Sequence, residues 1–117
     1  MEKVKPYVEN GKIGILISPG YGAGWSTWGD KEVAYDKRVV EYWLDLKRLD
    51  FRTSTQSDMM EEFLENLGYH NTYMGGFNDL VLEFVEIGEF FYIYEYDGYE
   101  TLVQQKNMTK FTEEDLQ

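Results

Sequence analysis

The chain contains no cysteine, only two prolines and a single histidine among its 117 residues. The lack of cysteine excludes disulfide bonds and thiolate metal sites, and it agrees with a cytoplasmic location. No stretch approaches the roughly 18 consecutive apolar residues of a membrane-spanning helix. The first residues, Met1 to Pro6, lack the apolar segment of a secretion signal. We therefore expect a cytoplasmic protein with no membrane partner.

Positive charge is also scarce. Eleven Lys and Arg residues stand against 22 Asp and Glu residues, which gives a net charge of −11. Because nucleic-acid binding draws its affinity from neutralised phosphates and released counterions, this charge argues against direct binding to DNA or RNA. It suits a soluble monomer, or a protein whose partner is basic. Mimicry of nucleic acid would need ordered rows of carboxylates, whereas here they are scattered along the chain.

Hydrophobic residues make up 43% of the chain and aromatic residues 17%, which is enough for the core of one domain. We expect a single domain over residues 1–117, with a polar tail at 104–117 that either frays or starts a short helix. The apolar patterns predict, in order, a strand over 12–17, a helix within 30–49 capped by Asp30 or Asp36, a second helix from the N-cap Ser57 to Gly68, and strands over 80–85, 90–96 and 99–103.

The Asp97-Gly98 pair between the last two strands is the best hairpin signal in the chain. The order strand, helix, helix and three strands predicts an α+β fold. We expect a small, mainly antiparallel sheet, made of the N-terminal strand and a C-terminal meander or hairpin, packed by two amphipathic helices.

Residues 18–29 form a glycine–aromatic loop that holds four glycines, two tryptophans and one tyrosine. It follows a strand and precedes a helix, which is the context of a phosphate cradle. Its spacing is G-x-G-x-G rather than G-x-G-x-x-G, and no Gly-Lys-Ser/Thr follows, which argues against a Walker-type nucleoside triphosphatase. Two interpretations stay open. Either the loop is a weaker phosphate or nucleotide site with Ser26 and Thr27 as donors, or its glycines let it fold over its own tryptophans.

A second aromatic feature is the strand over 90–96. Two-residue periodicity places Tyr92, Tyr94 and Tyr96 on one face, with Phe91 and Ile93 on the opposite face. We assign Phe91 and Ile93 to the core. The three tyrosines either line a pocket or pack at the edge of the core with their hydroxyls at the rim.

We find no nucleophile–base pair, no spaced carboxylate dyad and no calcium-loop spacing in the sequence. The single histidine, His70, has no Cys, Ser or second His partner in a recognisable pattern. We therefore expect a protein that is not an enzyme, with no catalytic residues, no cofactor and no metal site.

Three segments taken together resemble a group of small uncharacterised proteins of tailed bacteriophages. They are Gly20 to Trp28, Ala34 to Arg38 and Glu95 to Glu100, and the resemblance spans most of residues 12–103 in that order. The resemblance implies phage origin and action in the host cytoplasm. Small phage accessory proteins often disable host defence, either by binding an effector or by sequestering its nucleotide messengers.

Combined with the loop, this resemblance favours a protein that binds a small nucleotide-like ligand and sequesters an immune signal. Tyrosine and tryptophan faces would stack on the base, glycine N–H groups and Arg38 would hold phosphate, and Asp97 or Glu100 would accept hydrogen bonds. The candidate ligand-binding residues are Gly20, Tyr21, Gly22, Ala23, Gly24, Trp25, Ser26, Thr27, Trp28, Asp36, Arg38, Tyr96, Asp97 and Glu100.

Two alternative functions stay open. One is an acidic protein–protein inhibitor that binds a basic host defence effector, as anti-CRISPR proteins do. The other is a structural accessory protein whose tryptophan loop is buried in a homo-oligomer interface.

Overall fold

The computed structural model of the chain describes residues 4–49, 52–104 and 113–116. It has the expected α+β fold. Its strands are β1 (Val8–Glu9), β2 (Lys12–Ile17), β3 (Val81–Glu86), β4 (Phe91–Tyr96) and β5 (Tyr99–Gln104), and its helices are α1 (Lys37–Lys47) and α2 (Thr53–Asn66). Short 3-10 turns lie at Ser26–Trp28, Lys31–Ala34, Met74–Asp79 and Glu113–Leu116.

The strands form two antiparallel sheets rather than one. The first has the order β1-β2-β3, and the second is the two-stranded ribbon β4-β5. Of the two expected C-terminal arrangements, the hairpin is present as β4-β5. The meander does not form, because β3 pairs with β2, in the register Ile13↔Val85 and Ile17↔Val81, instead of with β4. Apolar residues of β2 point to both faces of the first sheet, so both faces need cover.

The two helices and the ribbon cover opposite faces of the first sheet. Leu16 points toward the helices, where it packs with Val40, Trp43 and Leu64 in the main core. Ile15 and Ile17, its neighbours on β2, point to the opposite face. There they pack in a second cluster with the ribbon residues Phe91, Ile93 and Leu102. The core assignment of Phe91 and Ile93 is thus confirmed, although both are only partly buried.

The structure selects Asp36 from the two predicted N-caps of the first helix and starts the second helix earlier than predicted. Asp36 is the N-cap of α1, and its carboxylate accepts a hydrogen bond from the Arg38 backbone N–H at 2.9 Å. The prediction of Ser57 as N-cap of α2 is wrong, because α2 begins at Thr53 and Ser57 lies inside it. The buried Gln56 donates from its side chain to the Leu49 carbonyl oxygen at 3.3 Å. This contact holds the first turn of α2 in place. The polar composition of residues 52–56 had given no sign of that turn in the sequence.

The hairpin and the end of α2 follow the prediction. Asp97 and Gly98 have φ values of 50° and 84°, the left-handed pair of a two-residue turn, and they connect the paired residues Tyr96 and Tyr99. Gly68 follows α2 with a φ of 97°. Within the described ranges, no helix is long and apolar enough to cross a membrane.

Candidate functional site

The carboxylate of Glu100 organises the glycine–aromatic loop. Glu100 lies on β5 and is fully buried. Its Oε1 accepts from the Ser18 backbone N–H at 2.8 Å, and its Oε2 accepts from the backbone N–H groups of Trp25 and Thr27 at 2.8 and 3.1 Å. The Thr27 hydroxyl also donates to Oε2. We call this set of contacts the Glu100 network. It gives the buried carboxylate four donors, so N–H and O–H dipoles stabilise its charge.

Backbone contacts join the same loop to the hairpin tip. The Gly22 N–H donates to the Asp97 carbonyl oxygen at 2.6 Å, and the Glu100 N–H donates to the Ser18 carbonyl oxygen at 2.9 Å. A Cβ added at Gly98 would lie 2.4 Å from the Ala23 nitrogen, so only glycine lets the tip approach the loop this closely. The structure thus brings together the loop and the hairpin tip, two of the three segments of the predicted site. They are joined by contacts within the chain.

Of the two tryptophans in the loop, one belongs to the core and one stays at the surface. Trp25 is buried, and its ring N–H donates to the Val33 carbonyl oxygen at 3.3 Å. Trp28 is 40% exposed, and its ring meets Tyr73 edge-on with 5.0 Å between centroids. The loop therefore folds over Trp25, one of the two interpretations left open by the sequence. Trp28 and Tyr21, which packs against Tyr99 at 4.9 Å, retain exposed aromatic surface.

The third segment of the predicted site, Asp36 and Arg38, lies elsewhere, at the start of α1, and its side chains contact each other. The Asp36 carboxylate is buried and accepts from Arg38 Nε at 3.1 Å, from Arg38 Nη2 at 2.7 Å and from the Tyr69 hydroxyl at 2.7 Å. Burial alone raises the pKa of Asp36, but the hydrogen bonds from Arg38 and Tyr69 outweigh it, and the pKa is lowered overall. Burial, followed by the hydrogen bond to Asp36, raises the pKa of Tyr69, so this phenol remains a donor.

An open groove lies between the segment 26–35 and β4. Its volume is about 570 Å³. One wall is formed by Ser26, Thr27, Lys31, Ala34 and Tyr35, and the other by Phe91, Tyr92, Ile93, Tyr94 and Glu95. Of the candidate ligand-binding residues, Ser26 and Thr27 line this groove. Trp25, Asp36 and Glu100 are buried, and Tyr96 and Asp97 are exposed at the hairpin tip.

The tyrosine row, which we define as Tyr92, Tyr94 and Tyr96, faces solvent on the outer side of the ribbon. These side chains are 51%, 52% and 67% exposed. Tyr92 and Tyr94 also line the groove, so the row follows the pocket-lining alternative in part and does not pack at the edge of the core. The groove residues that the site prediction omitted are chiefly those of β4, whose alternating aromatic pattern was their signal.

No group of three or more His, Asp or Glu residues within the described parts of the chain is placed to hold a metal ion. Compared with known proteins, the chain matches no protein-family model, no curated protein and no solved structure.

Proposed function

We propose that this protein acts by binding a basic partner protein at the groove and the adjoining tyrosine row. The observation that carries the proposal is the placement of half-exposed tyrosines on β4 directly beside an open groove. Tyrosine is enriched at the energetic centres of protein interfaces, because it supplies a large rigid face and a polar tip at low entropic cost.

The sign of the charge supports a basic partner. The chain carries a net charge of −11, which attracts basic proteins over several ångströms and raises their association rate. Within the site, the faces of Tyr92 and Tyr94 can receive arginine or lysine side chains, since aromatic rings attract cations above their faces. Glu95 lines the groove at the same point and adds a carboxylate.

The resemblance to small phage proteins suggests the class of partner. An acidic phage protein that binds a basic surface would act as an inhibitor of a host defence effector. This is the protein–protein function considered from the sequence, now attached to a particular surface.

The test starts from a peptide display library selected against the wild-type protein. Affinities of the selected peptides are then measured for Tyr94→Ala and for the matched control Tyr21→Ala, an exposed tyrosine that does not line the groove. We expect Tyr94→Ala to weaken binding about tenfold or more, as for an interface hot spot, and the control to change it less than about threefold.

Two further results decide the matter. Selected peptides should be rich in Arg and Lys, and raising the salt from about 50 to 500 mM should weaken their binding, since exposed charge pairs are screened. If the library yields no binder, or if binders tolerate Tyr94→Ala as well as they tolerate the control, the proposal is wrong.

A second candidate function is the capture of a nucleotide-like ligand in the same groove. It is favoured by the volume of about 570 Å³, which lies within the range of small-molecule sites, and by the amine of Lys31 among aromatic walls. A thermal-shift screen with linear and cyclic nucleotides tests it, because a ligand at 100 times its Kd adds about 2.7 kcal/mol of stability. The shift should disappear in Lys31→Met and persist in the exposed control Lys37→Met.

A further inference from the structure

The outer edge of β4 has no strand beside it within the described parts of the chain. β4 pairs with β5 on one side only, in the register Glu95↔Glu100 and Ile93↔Leu102. The Glu100 N–H points away from β4, because it donates to Ser18. In an antiparallel ladder, bonded and non-bonded pairs alternate. Glu95, Ile93 and Phe91 therefore turn their backbone N–H and C=O groups away from β5, whereas Tyr92, Tyr94 and Tyr96 turn theirs toward it.

Apart from its single charged residue, Glu95, this strand carries none of the usual protections of an exposed edge. It contains neither lysine nor proline, and its six residues are continuously paired with β5 without a bulge. Natural proteins protect such edges, because unpaired backbone groups recruit another strand. Here the groove adjoins β4, and its opposite wall is the segment 26–35.

We propose that an extended segment of the partner adds to this edge as a third strand of the ribbon. The inference rests on the proposed function and specifies how the same site binds. Backbone N–H and C=O groups of Phe91, Ile93 and Glu95 would pair with the segment and provide affinity without regard to its side chains, as in known β-strand additions. β4 is six residues long and spans about 20 Å, so it can pair with roughly four to six residues of the partner segment.

The two faces of the ribbon determine the chemistry of the segment. Side chains opposite Phe91 and Ile93 lie on the inner face and are apolar, since directly opposed residues share one face of a sheet. Side chains opposite Tyr92 and Tyr94 lie on the outer face, where arginine or lysine stacks on the tyrosine rings. The segment thus alternates apolar and basic residues. A second copy of this chain fits less well, because it would bring its own segment 26–35 into the same space.

The free edge can be tested on the protein alone by amide hydrogen exchange. The amides of Ile93 and Glu95 should exchange fast, while those of Tyr92 and Tyr94, which bond to β5, should exchange slowly. Equal protection of both sets that persists on dilution would overturn the inference, because the edge would already be paired within the chain. Protection that falls on dilution would overturn it in favour of self-association.

Strand addition is then tested with a selected peptide and its N-methylated versions. N-methylation of the peptide residues whose backbone N–H groups point to β4 should weaken binding about tenfold. Methylation of the intervening residues, whose N–H groups point away, should change binding less than about threefold. Binding of the unmodified peptide should also protect the Ile93 and Glu95 amides.

The outcomes separate the two proposals. If the peptide binds through the tyrosine row but N-methylation has no alternating effect and the edge amides stay unprotected, strand addition is wrong and the proposed function stands. If no peptide depends on Tyr94, the proposed function itself fails.

Discussion

Replacing Glu100 with glutamine should destabilise the protein far more than an ordinary Glu→Gln change. The carboxylate accepts from donors on both of its oxygens, from Ser18 on one and from Trp25 and Thr27 on the other. A glutamine side chain has one acceptor oxygen and one donor NH2 group. Whichever way the amide is turned, its NH2 faces at least one backbone N–H, so a hydrogen bond is replaced by a contact between two donors.

The magnitude follows from the bonds that are lost. A hydrogen bond to a charged group contributes about 1.5–3 kcal/mol, and a buried N–H without a partner costs about 1–3 kcal/mol. Since the remaining bonds also weaken when the acceptor becomes neutral, we expect a loss of about 2–4 kcal/mol in the free energy of unfolding. For a urea m-value of about 2 kcal/mol per molar, the midpoint would fall by about 1–2 M.

Urea unfolding followed by circular dichroism measures this loss, with Glu83→Gln on β3 as the matched control. Glu83 is exposed, so its change should stay within about 0.5 kcal/mol. Hydrogen exchange locates the effect, because the Trp25 and Thr27 amides should lose protection in Glu100→Gln before the amides of β2 do. A midpoint equal to that of the control, with the Trp25 amide still protected, would refute the view that Glu100 holds the loop.

Two further predictions concern the hairpin tip and the cap of α1. Gly98→Ala should cost more than about 1 kcal/mol and clearly exceed Gly88→Ala in thermal unfolding, because both glycines have positive φ but only Gly98 has the Ala23 backbone in the space of a Cβ. With Asp36→Asn, the free energy of unfolding should fall less than in the wild type as the pH is lowered. The folded pKa of Asp36 is lowered, so its contribution is present above the unfolded pKa and is lost as the pH falls below about 4. Urea midpoints of the wild type and the Asn variant should therefore converge at low pH.

Local patterns in the sequence predicted the elements whose cause is local. The apolar run of β2, the alternation in β4 and the Asp97-Gly98 turn each specify a structure within a few residues, and all three are present. The division into two sheets is not local. It depends on which edge of β2 pairs with β3 and on which face of β2 the ribbon covers, and neither is encoded within a short window.

Only the locally determined part of the candidate site could be predicted from the sequence. Alternation could have placed Glu100 on the buried face of β5, two residues before the buried Leu102. Its donors could not have been found that way, because Ser18, Trp25 and Thr27 lie 82, 75 and 73 residues away in the chain. The groove arises from the same long-range approach, so β4 was recognisable as an aromatic strand but not as the wall of a groove.

The buried carboxylate and the open groove are physically connected. Glu100 lies on β5 opposite Glu95 of β4, while its carboxylate holds Thr27 in the opposite wall of the groove. One side chain therefore links both walls and limits how far they can separate. A groove whose walls are held before binding loses less conformational entropy when it is occupied, which favours affinity. It follows that Glu100→Gln should weaken binding at the groove even though Glu100 is buried away from it, and that Tyr94→Ala should weaken binding without loosening the loop. The two residues would thus affect binding by different physical routes, one through the spacing of the walls and the other through direct contact.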